Sequence, residues 1–372
     1  MKKVIFISAL AIAAAVSCTK SDIVDTKFNE AISFQTYTGR AAQTKAAVTD
    51  NSNIATVGVG LYGYYLGNAQ AWGEASKANL WANDALTPKA DAPTVWEVAG
   101  KPKYWANDAD KYAFLAYSPR TAATEGAYYV STGTTGENPE INYTVNSDLS
   151  QQIDLLYAKA EGTAATFKTS GVALTMEHAL SRLTVKAKEA EATDFDFYVK
   201  EVKISGDFYT AGVFNLYEGI WDADEYDKKE GGETYSFYNA QTNTTALTTT
   251  AEDYAYYAKN ESGVYTEGTS ATNYLMMIPT TEDVTLYVKY TTFYEGQEST
   301  PIEKTLTVSQ DFVMGKAYAI ELVFSHDAQP ITFTVSVTEW AEVAADEDDN
   351  NETEIPGGNP NGGTSWTPVN AQ

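Results

Sequence analysis

Apolar and polar residues alternate in short segments along most of the chain, and this alternation predicts β-strands that each bury one face. In the cleanest segment Ile331, Phe333, Val335 and Val337 are separated by single Thr or Ser residues. Similar segments occur at residues 56–66, 112–119, 141–145, 172–185, 195–204, 284–288 and 320–324. Because no long helical period lies between them, the pattern predicts an all-β chain of packed sheets and argues against an α/β fold.

Breaks in this pattern indicate where domains and loops lie. Residues 161–170 are small and polar, so we place a domain boundary there. It separates an N-terminal β-sandwich domain at 41–168 from a C-terminal β-sandwich domain at 169–342. Residues 72–94 contain several turn-forming residues, and we expect a loop in that region.

One irregularity falls inside a predicted strand. Apolar residues alternate up to Val199 and resume at Val202 with the opposite parity. An extra residue at Lys200 or Glu201 would explain the shift as a β-bulge, and a junction between two strands would explain it equally well.

The N-terminus has the pattern of an export signal. Lys2 and Lys3 precede residues 4–16, which carry no charge and are mostly apolar. Thirteen such residues are too few to cross the ~30 Å hydrocarbon core of a bilayer as a helix. We therefore interpret residues 1–17 as a lipoprotein signal peptide, with Cys18, the only cysteine, as the lipidation site. The alternative is an ordinary signal peptide followed by a chance cysteine.

A short strand and a basic residue follow the cysteine. Residues 18–40 begin as a polar tether and then place Ile32 and Phe34 on one face of a predicted strand. Arg40 is one of only three arginines, and it lies among small residues that no regular pattern protects. A trypsin-like protease that cut between Arg40 and Ala41 would remove the strand from a finished sheet.

The C-terminal residues differ from the rest of the chain. Seven carboxylates and no basic residue occur between residues 342 and 354, and a segment rich in Gly, Pro and Asn follows. Such a sequence cannot form a core, so residues 343–372 are predicted to be an acidic, flexible and solvated tail. A small apolar patch at Trp366 and Val369 lies near its end.

Composition excludes several classes of protein. The 50 acidic and 25 basic side chains give a net charge of −25, which repels phosphate backbones and makes nucleic acid an unsuitable partner. Hydrophobic residues make up 44% of the chain, enough for a large core. A single cysteine excludes a small scaffold held together by disulfides.

Catalytic signatures are missing from the sequence, so we predict no enzyme and no cofactor. There is no nucleophile elbow, no zinc-protease motif and no phosphate-binding loop. His178 and His326 are the only histidines, and a core or turn position is the preferred interpretation of His178. Asp222, Asp224 and Asp227 form an acidic cluster whose spacing does not match a calcium loop, so a solvated loop is preferred to a metal site.

Aromatic residues leave two interpretations open. Trp72, Trp81, Trp96 and Trp105 lie within a short part of the chain and have the side chains that stack on sugars. Large aromatic residues are also common in the core of a β-protein. Packing is therefore the first interpretation and glycan binding the alternative.

Several of these features, in this order, resemble the fimbrillin family, the lipoprotein pilins of Bacteroidales. They are Cys18, the strand with Ile32 and Phe34 before Arg40, the segments at 103–105, 114–119 and 178–183, and the closing Val335, Val337 and Trp340. The resemblance implies two tandem transthyretin-like β-sandwich domains. It also implies export to the outer membrane as a lipoprotein, followed by incorporation into a cell-surface fimbrium.

The resemblance also implies how such a subunit assembles. A trypsin-like surface protease cuts after a basic residue, here Arg40, and the departing strand opens a hydrophobic groove. The C-terminal segment of a neighbouring subunit then fills the groove. The implied partners are copies of this chain or related fimbrial subunits, the protease, the outer membrane through the lipid before processing, and a receptor on a host or bacterial surface. The alternative is a surface lipoprotein that binds glycans and does not polymerise.

Two segments are candidates for the donor strand. Residues 331–340 offer Ile331, Phe333, Val335 and Val337 at alternate positions, with an uninterrupted set of amides. The patch at Trp366 is interrupted by Pro368, which lacks an N–H for pairing. We therefore predict that the donor is residues 331–340 or is continuous with them.

Overall fold

The described part of the chain consists mainly of β-strands with very little helix, as the alternating pattern predicts. A computed structural model describes residues 30–38, 53–68, 78–132, 138–190, 196–241, 246–247, 252–253, 257–259, 265–267, 274–325 and 331–340. None of the helices in these ranges is long and apolar enough to cross a membrane. The prediction of an all-β fold is confirmed.

The elements of the first half, in chain order, are β1 (Phe34–Thr38), α1 (Ile54–Val57), β2 (Val59–Gly67), β3 (Trp81–Lys89), β4 (Ala92–Glu97), β5 (Lys111–Ser118), β6 (Tyr128–Thr132), β7 (Pro139–Thr144), β8 (Leu156–Thr163), α2 (Ala164–Ser170) and β9 (Val172–His178). Those of the second half are β10 (Ser181–Glu189), β11 (Asp196–Gly206), β12 (Tyr209–Asn215), β13 (Ile220–Trp221), β14 (Asp227–Lys228), β15 (Glu233–Asn239), β16 (Glu252–Asp253), β17 (Tyr257–Lys259), β18 (Tyr265–Glu267), β19 (Leu275–Met277), β20 (Val284–Tyr294), β21 (Gln297–Glu298), β22 (Ile302–Val308), β23 (Lys316–Phe324) and β24 (Thr332–Glu339). Short 3₁₀ turns occur at Leu149–Gln151 and Ala223–Glu225.

Seven strands of the first half close into a barrel in the order β1-β4-β3-β2-β5-β8-β9. The first strand completes the circle because it pairs with β4 in antiparallel fashion on one side and with β9 in parallel fashion on the other. Alternate residues of these strands point inward, among them Leu61, Phe114 and Leu174, which are fully buried. The barrel thus has its own apolar core.

The second half contains two sheets that share another core. One has the order β16-β10-β23-β24, with β19 also paired to β10, and the other has the order β15-β11-β20-β21, with β22 also paired to β20. Buried residues such as Leu183 on β10, Ile204 on β11 and Ile320 on β23 pack together. β24 forms an edge of the first of these sheets.

Pairing and packing connect the two halves of the chain. The sheet β13-β12-β7-β6 joins β7 of the first half to β12 of the second over five residue pairs. β5 is buried on both faces, with Phe114 in the barrel core and Leu115 in the core of the second half. β9, which follows the predicted domain boundary at 168, is a wall of the barrel. The division into two domains at 41–168 and 169–342 stays a prediction.

Two local predictions are settled by strand pairing. β11 is one continuous strand whose register with β20 shifts between Val199 and Glu201, so the parity change is a β-bulge. The loop predicted at 72–94 is wrong over much of its length, because β3 and β4 form an antiparallel pair there. Trp81 and Leu86 of β3 are both buried in the barrel core despite the turn-forming residues around them, and this burial favours a strand over a loop.

We expect Phe34→Ala to destabilise the intact chain by about 3–5 kcal/mol, because the change removes a fully buried aromatic ring and leaves a cavity in the barrel core. Denaturant unfolding of the uncut protein measures the effect. Gln35→Ala is the matched control, since Gln35 is on the same strand and exposed. Equal stabilities for the two variants would contradict the assigned role of Phe34 in closing the barrel.

Candidate functional site

The seam that β1 closes is the candidate functional site. All five residues of β1 pair with β9, from Phe34 opposite Val172 to Thr38 opposite Met176. Pairing with β4 is limited to one position, where Phe34 lies opposite Trp96. Backbone pairing therefore holds β1 mainly to β9.

The residues before β1 add a second attachment to the barrel. The N–H of Ile32 donates to the carbonyl oxygen of Lys103 at 2.8 Å, and the N–H of Trp105 donates to that of Glu30 at 3.3 Å. Ala31 forms an isolated antiparallel bridge with Tyr104. This extension accounts for the burial of Ile32, of which only 4% is exposed.

Beneath the seam lies an aromatic pocket filled by Phe34. Its ring centroid lies 5.2 Å from that of Phe114 and 5.7 Å from that of Trp81, both with the edge-to-face geometry that aromatic rings prefer. Ile32 and Phe34, which the sequence places on one face of a removable strand, are both buried in this core. Loss of the strand would uncover large apolar side chains on the barrel wall.

Removal of β1 would also expose two strand edges. On the side away from β1, strand β9 pairs with β8 at only two positions, where His178 lies opposite Leu156 and Glu177 lies opposite Tyr157. The backbone N–H and C=O groups of residues 172–176 that pair with β1 would then have no strand partner among the described residues. Unpaired edges of this kind accept another strand by backbone pairing.

The polar groups next to the pocket are held neutral. Burial raises the pKa of Tyr112, although its hydroxyl oxygen accepts the Ala106 N–H at 2.9 Å, an interaction that opposes the shift. Burial, and then a hydrogen bond donated to Asp110 at 2.8 Å, raise the pKa of Tyr65 to about 12. These phenols are therefore protonated near neutral pH, and the wall around Phe34 is apolar and aromatic.

The predicted donor segment forms part of its own subunit in this structure. β24 pairs with β23 over eight positions at the edge of a sheet. Ile331 is buried, Phe333 and Val335 are half-buried against the core, and Val337 is 47% exposed. The predicted alternation is thus seen as a strand, while its role as a donor stays a prediction.

Other predicted site residues are distributed as follows. Cys18, Arg40, Ala41, Trp72, His326 and the tail at 343–372 lie outside the described residues. Trp81, Trp96 and Trp105 are 2%, 5% and 3% exposed, so these three pack in the barrel core and cannot serve as exposed platforms for sugars.

His178 and Asp222 each make a hydrogen bond within the fold. His178 is buried, and its Nδ1 lies 2.9 Å from Oδ1 of Asp154. Asp222 accepts the N–H of Asp224 at 3.0 Å and so caps a 3₁₀ turn. Among the described residues no group of three or more His, Cys, Asp or Glu side chains is arranged to hold a metal ion.

Sequence reasoning did not find the residues that line the seam from the opposite side. Val172, Leu174 and Met176 of β9 are buried in the barrel core beside β1. Their alternation was visible in the sequence, but their partner was not, because the paired strands lie far apart along the chain.

Comparison with known proteins gives consistent matches. A family model described as fimbrillin-like matches residues 40–340. A crystal structure of a fimbrial protein from Bacteroides vulgatus has 20% identity and a TM-score of 0.61, covering 84% of this chain and all of that one. Putative cell adhesion proteins from Bacteroides ovatus and Bacteroides uniformis have 17% and 18% identity and TM-scores of 0.47 and 0.44. They cover 84% and 83% of this chain and 98% and 99% of their own. No curated protein matches.

Proposed function

Since this chain belongs to the fimbrillin-like family, we propose that it is a structural subunit of a cell-surface fimbrium that polymerises by donor-strand exchange and mediates adhesion. The observation that carries the proposal is the position of β1. It is the first described strand, it closes the barrel, and it ends two residues before Arg40. One backbone cut after Arg40 can therefore detach it without breaking any other strand that the structure describes.

Energetics favour replacement of β1 over an open seam. Burial of Ile32 and Phe34 contributes roughly 1.5–3 kcal/mol for each side chain, and the groove left behind would expose their aromatic neighbours to water. A strand from another subunit that supplies apolar side chains at alternate positions recovers this burial and restores the backbone ladder. The incoming strand also joins the two subunits.

The same cut would separate the subunit from the membrane. Lipid on Cys18 would hold the exported chain at the outer membrane, and residues 18–40 would carry both that lipid and β1. Cleavage between Arg40 and Ala41 by a trypsin-like protease would then release the subunit and open its groove in one step. Copies of this chain or related subunits are the proposed partners in the fibre, and a host or bacterial surface receptor is the proposed adhesion target.

We assign the donor strand to residues 331–340 or to a segment continuous with them. The position of β24 at a sheet edge and the exposure of Val337 support a donor that includes the C-terminal part of this strand. The alternative of a glycan-binding lipoprotein loses its main support, because three of the four tryptophans that suggested it are buried.

We expect Arg40→Ala to abolish processing and fibre formation while the fold is retained. The change removes the basic residue that a trypsin-like protease requires and alters none of the buried residues that the structure describes. Immunoblotting for chain size and electron microscopy of the cell surface measure the result. Arg40→Lys is the control, because it keeps a cleavable basic residue. If the Arg40→Ala chain is still shortened and still assembles, the cleavage site lies elsewhere, and Lys45 is the next residue to test.

We expect Cys18→Ser to leave the chain without lipid and to remove it from the outer membrane fraction, since serine has no thiol for thioether attachment. Metabolic labelling with a fatty-acid probe and membrane fractionation are the measurements. Ser17→Ala is the control, because it keeps a small residue before the cysteine. Continued labelling of Cys18→Ser would refute lipidation at this position.

We expect deletion of residues 345–372 to leave fibre length unchanged in cells that make only this subunit. The deletion keeps all of β24 and removes most of the acidic segment. Electron microscopy and the ladder of subunits on mild gels measure assembly. Folded monomers that no longer polymerise would instead identify the tail, with its patch at Trp366, as the donor strand.

A further inference from the structure

Resting on the proposed function, we propose that loss of β1 also releases the C-terminal end of β24, through β9 and a stack between His178 and Trp340. Opening of the groove and release of the donor segment would then be coupled within one subunit. Each link in this connection is formed by described residues.

The first link is the dependence of β9 on β1. Along Val172 to Met176 its only ladder partner among the described strands is β1, and β8 pairs with it only at the last two positions. Without β1, the strand would be held by its C-terminal end and by the packing of its apolar face. Strands with few hydrogen bonds open locally at lower free energy than the rest of a fold.

The second link is the contact at that C-terminal end. The imidazole ring of His178, the last residue of β9, stacks on the indole ring of Trp340 with centroids 3.9 Å apart and planes 4° apart. The imidazole is also held at its edge, where Nδ1 lies 2.9 Å from Oδ1 of Asp154. The guanidinium of Arg182 lies 5.0 Å from the centroid of the Trp340 ring. A shift of His178 would therefore remove one face of the Trp340 site.

The third link is the weak hold on the end of β24. Residues 336–338 are all exposed, so the C-terminal part of this edge strand is held by its ladder with β23 and by Trp340. The N–H of Trp340 donates to the carbonyl oxygen of Gly315 at 2.8 Å. The buried Nε1 of Trp340 has no hydrogen-bond partner in the described part of the chain. Because burying an unpaired donor costs free energy, this position holds the Trp340 side chain less strongly than a fully hydrogen-bonded one would.

Together these contacts form a conditional release. While β1 is present, β9 keeps His178 against Trp340, and the C-terminal segment stays on its own subunit. When β1 leaves, the backbone ladder of β9 is reduced to its two pairs with β8 at Glu177 and His178. Opening of this short remaining ladder would shift His178 and allow the end of β24 to fray. An unprocessed subunit would thus withhold its donor segment as well as its groove, which prevents premature assembly.

The test compares Phe34→Asp with Gln35→Asp in the full-length chain that carries Arg40→Ala. Both variants add one carboxylate to β1, but only the one at Phe34 faces the core and displaces the strand. Hydrogen exchange measured by mass spectrometry reports β9, the end of β24 at 336–340, and β22 as a reference edge strand. We expect about tenfold faster exchange in β9 and at 336–340 for Phe34→Asp, with β22 unchanged and Gln35→Asp like its parent.

A second variant keeps the test decisive. In Trp340→Leu the end of β24 should exchange rapidly while β9 stays protected, and adding Phe34→Asp should accelerate β24 no further. The coupling is overturned if β24 stays protected while β9 opens, if β9 is unaffected by Phe34→Asp, or if β22 loosens equally.

Failure of the coupling and failure of the proposed function are distinguishable. Fibre formation is scored separately, in cells that make the cleavable chain. Normal fibres with a protected β24 would refute the coupling alone. A loosened β24 in a chain that never assembles would support the coupling and refute the fimbrial proposal.

Discussion

The burial of Phe34 between Phe114 and Trp81 is the interaction on which the barrel depends. A closed barrel avoids exposed strand edges only when its last gap is filled. Here the gap is filled by a five-residue strand that pairs with β9 along its whole length and with β4 at one position. The closing element is therefore short, apolar on its inner face and close to the N-terminus of the chain, and these properties suit the proposed strand exchange.

Local features of this chain were predictable because neighbouring residues determine them. The alternation at Ile331, Phe333 and Val335 predicted a strand, and the structure contains it. For the parity change near Lys200 the sequence left a bulge and a strand junction open, and the structure has a bulge. The loop prediction for residues 72–94 failed because turn propensity competed with the burial of Trp81, and burial was stronger.

Long-range pairing was beyond the sequence pattern. Nothing in the sequence around Phe34 or Val172 indicates that the two lie side by side, because well over a hundred residues separate them. The same holds for β7 and β12, whose pairing joins the two halves of the chain, and for the stack of His178 on Trp340. The candidate site was therefore half predicted. Ile32 and Phe34 were predicted from the sequence to share one face, and both are buried at the seam, but the opposite wall and its connection to β24 emerged only from the fold.

The attachment of β1 to the rest of the chain has a kinetic consequence. A strand tethered by a short connection competes for its own groove at an effective concentration on the order of mM, and an incoming strand must exceed that value to displace it. Residues 39–53 connect β1 to α1 in this way. Cutting this connection would turn the intramolecular competitor into a separate peptide, and once the subunit leaves the membrane the rebinding of that peptide would become negligible. In the proposed mechanism, proteolysis would make the loss of β1 irreversible, and the supply of cut subunits would set the rate of fibre growth.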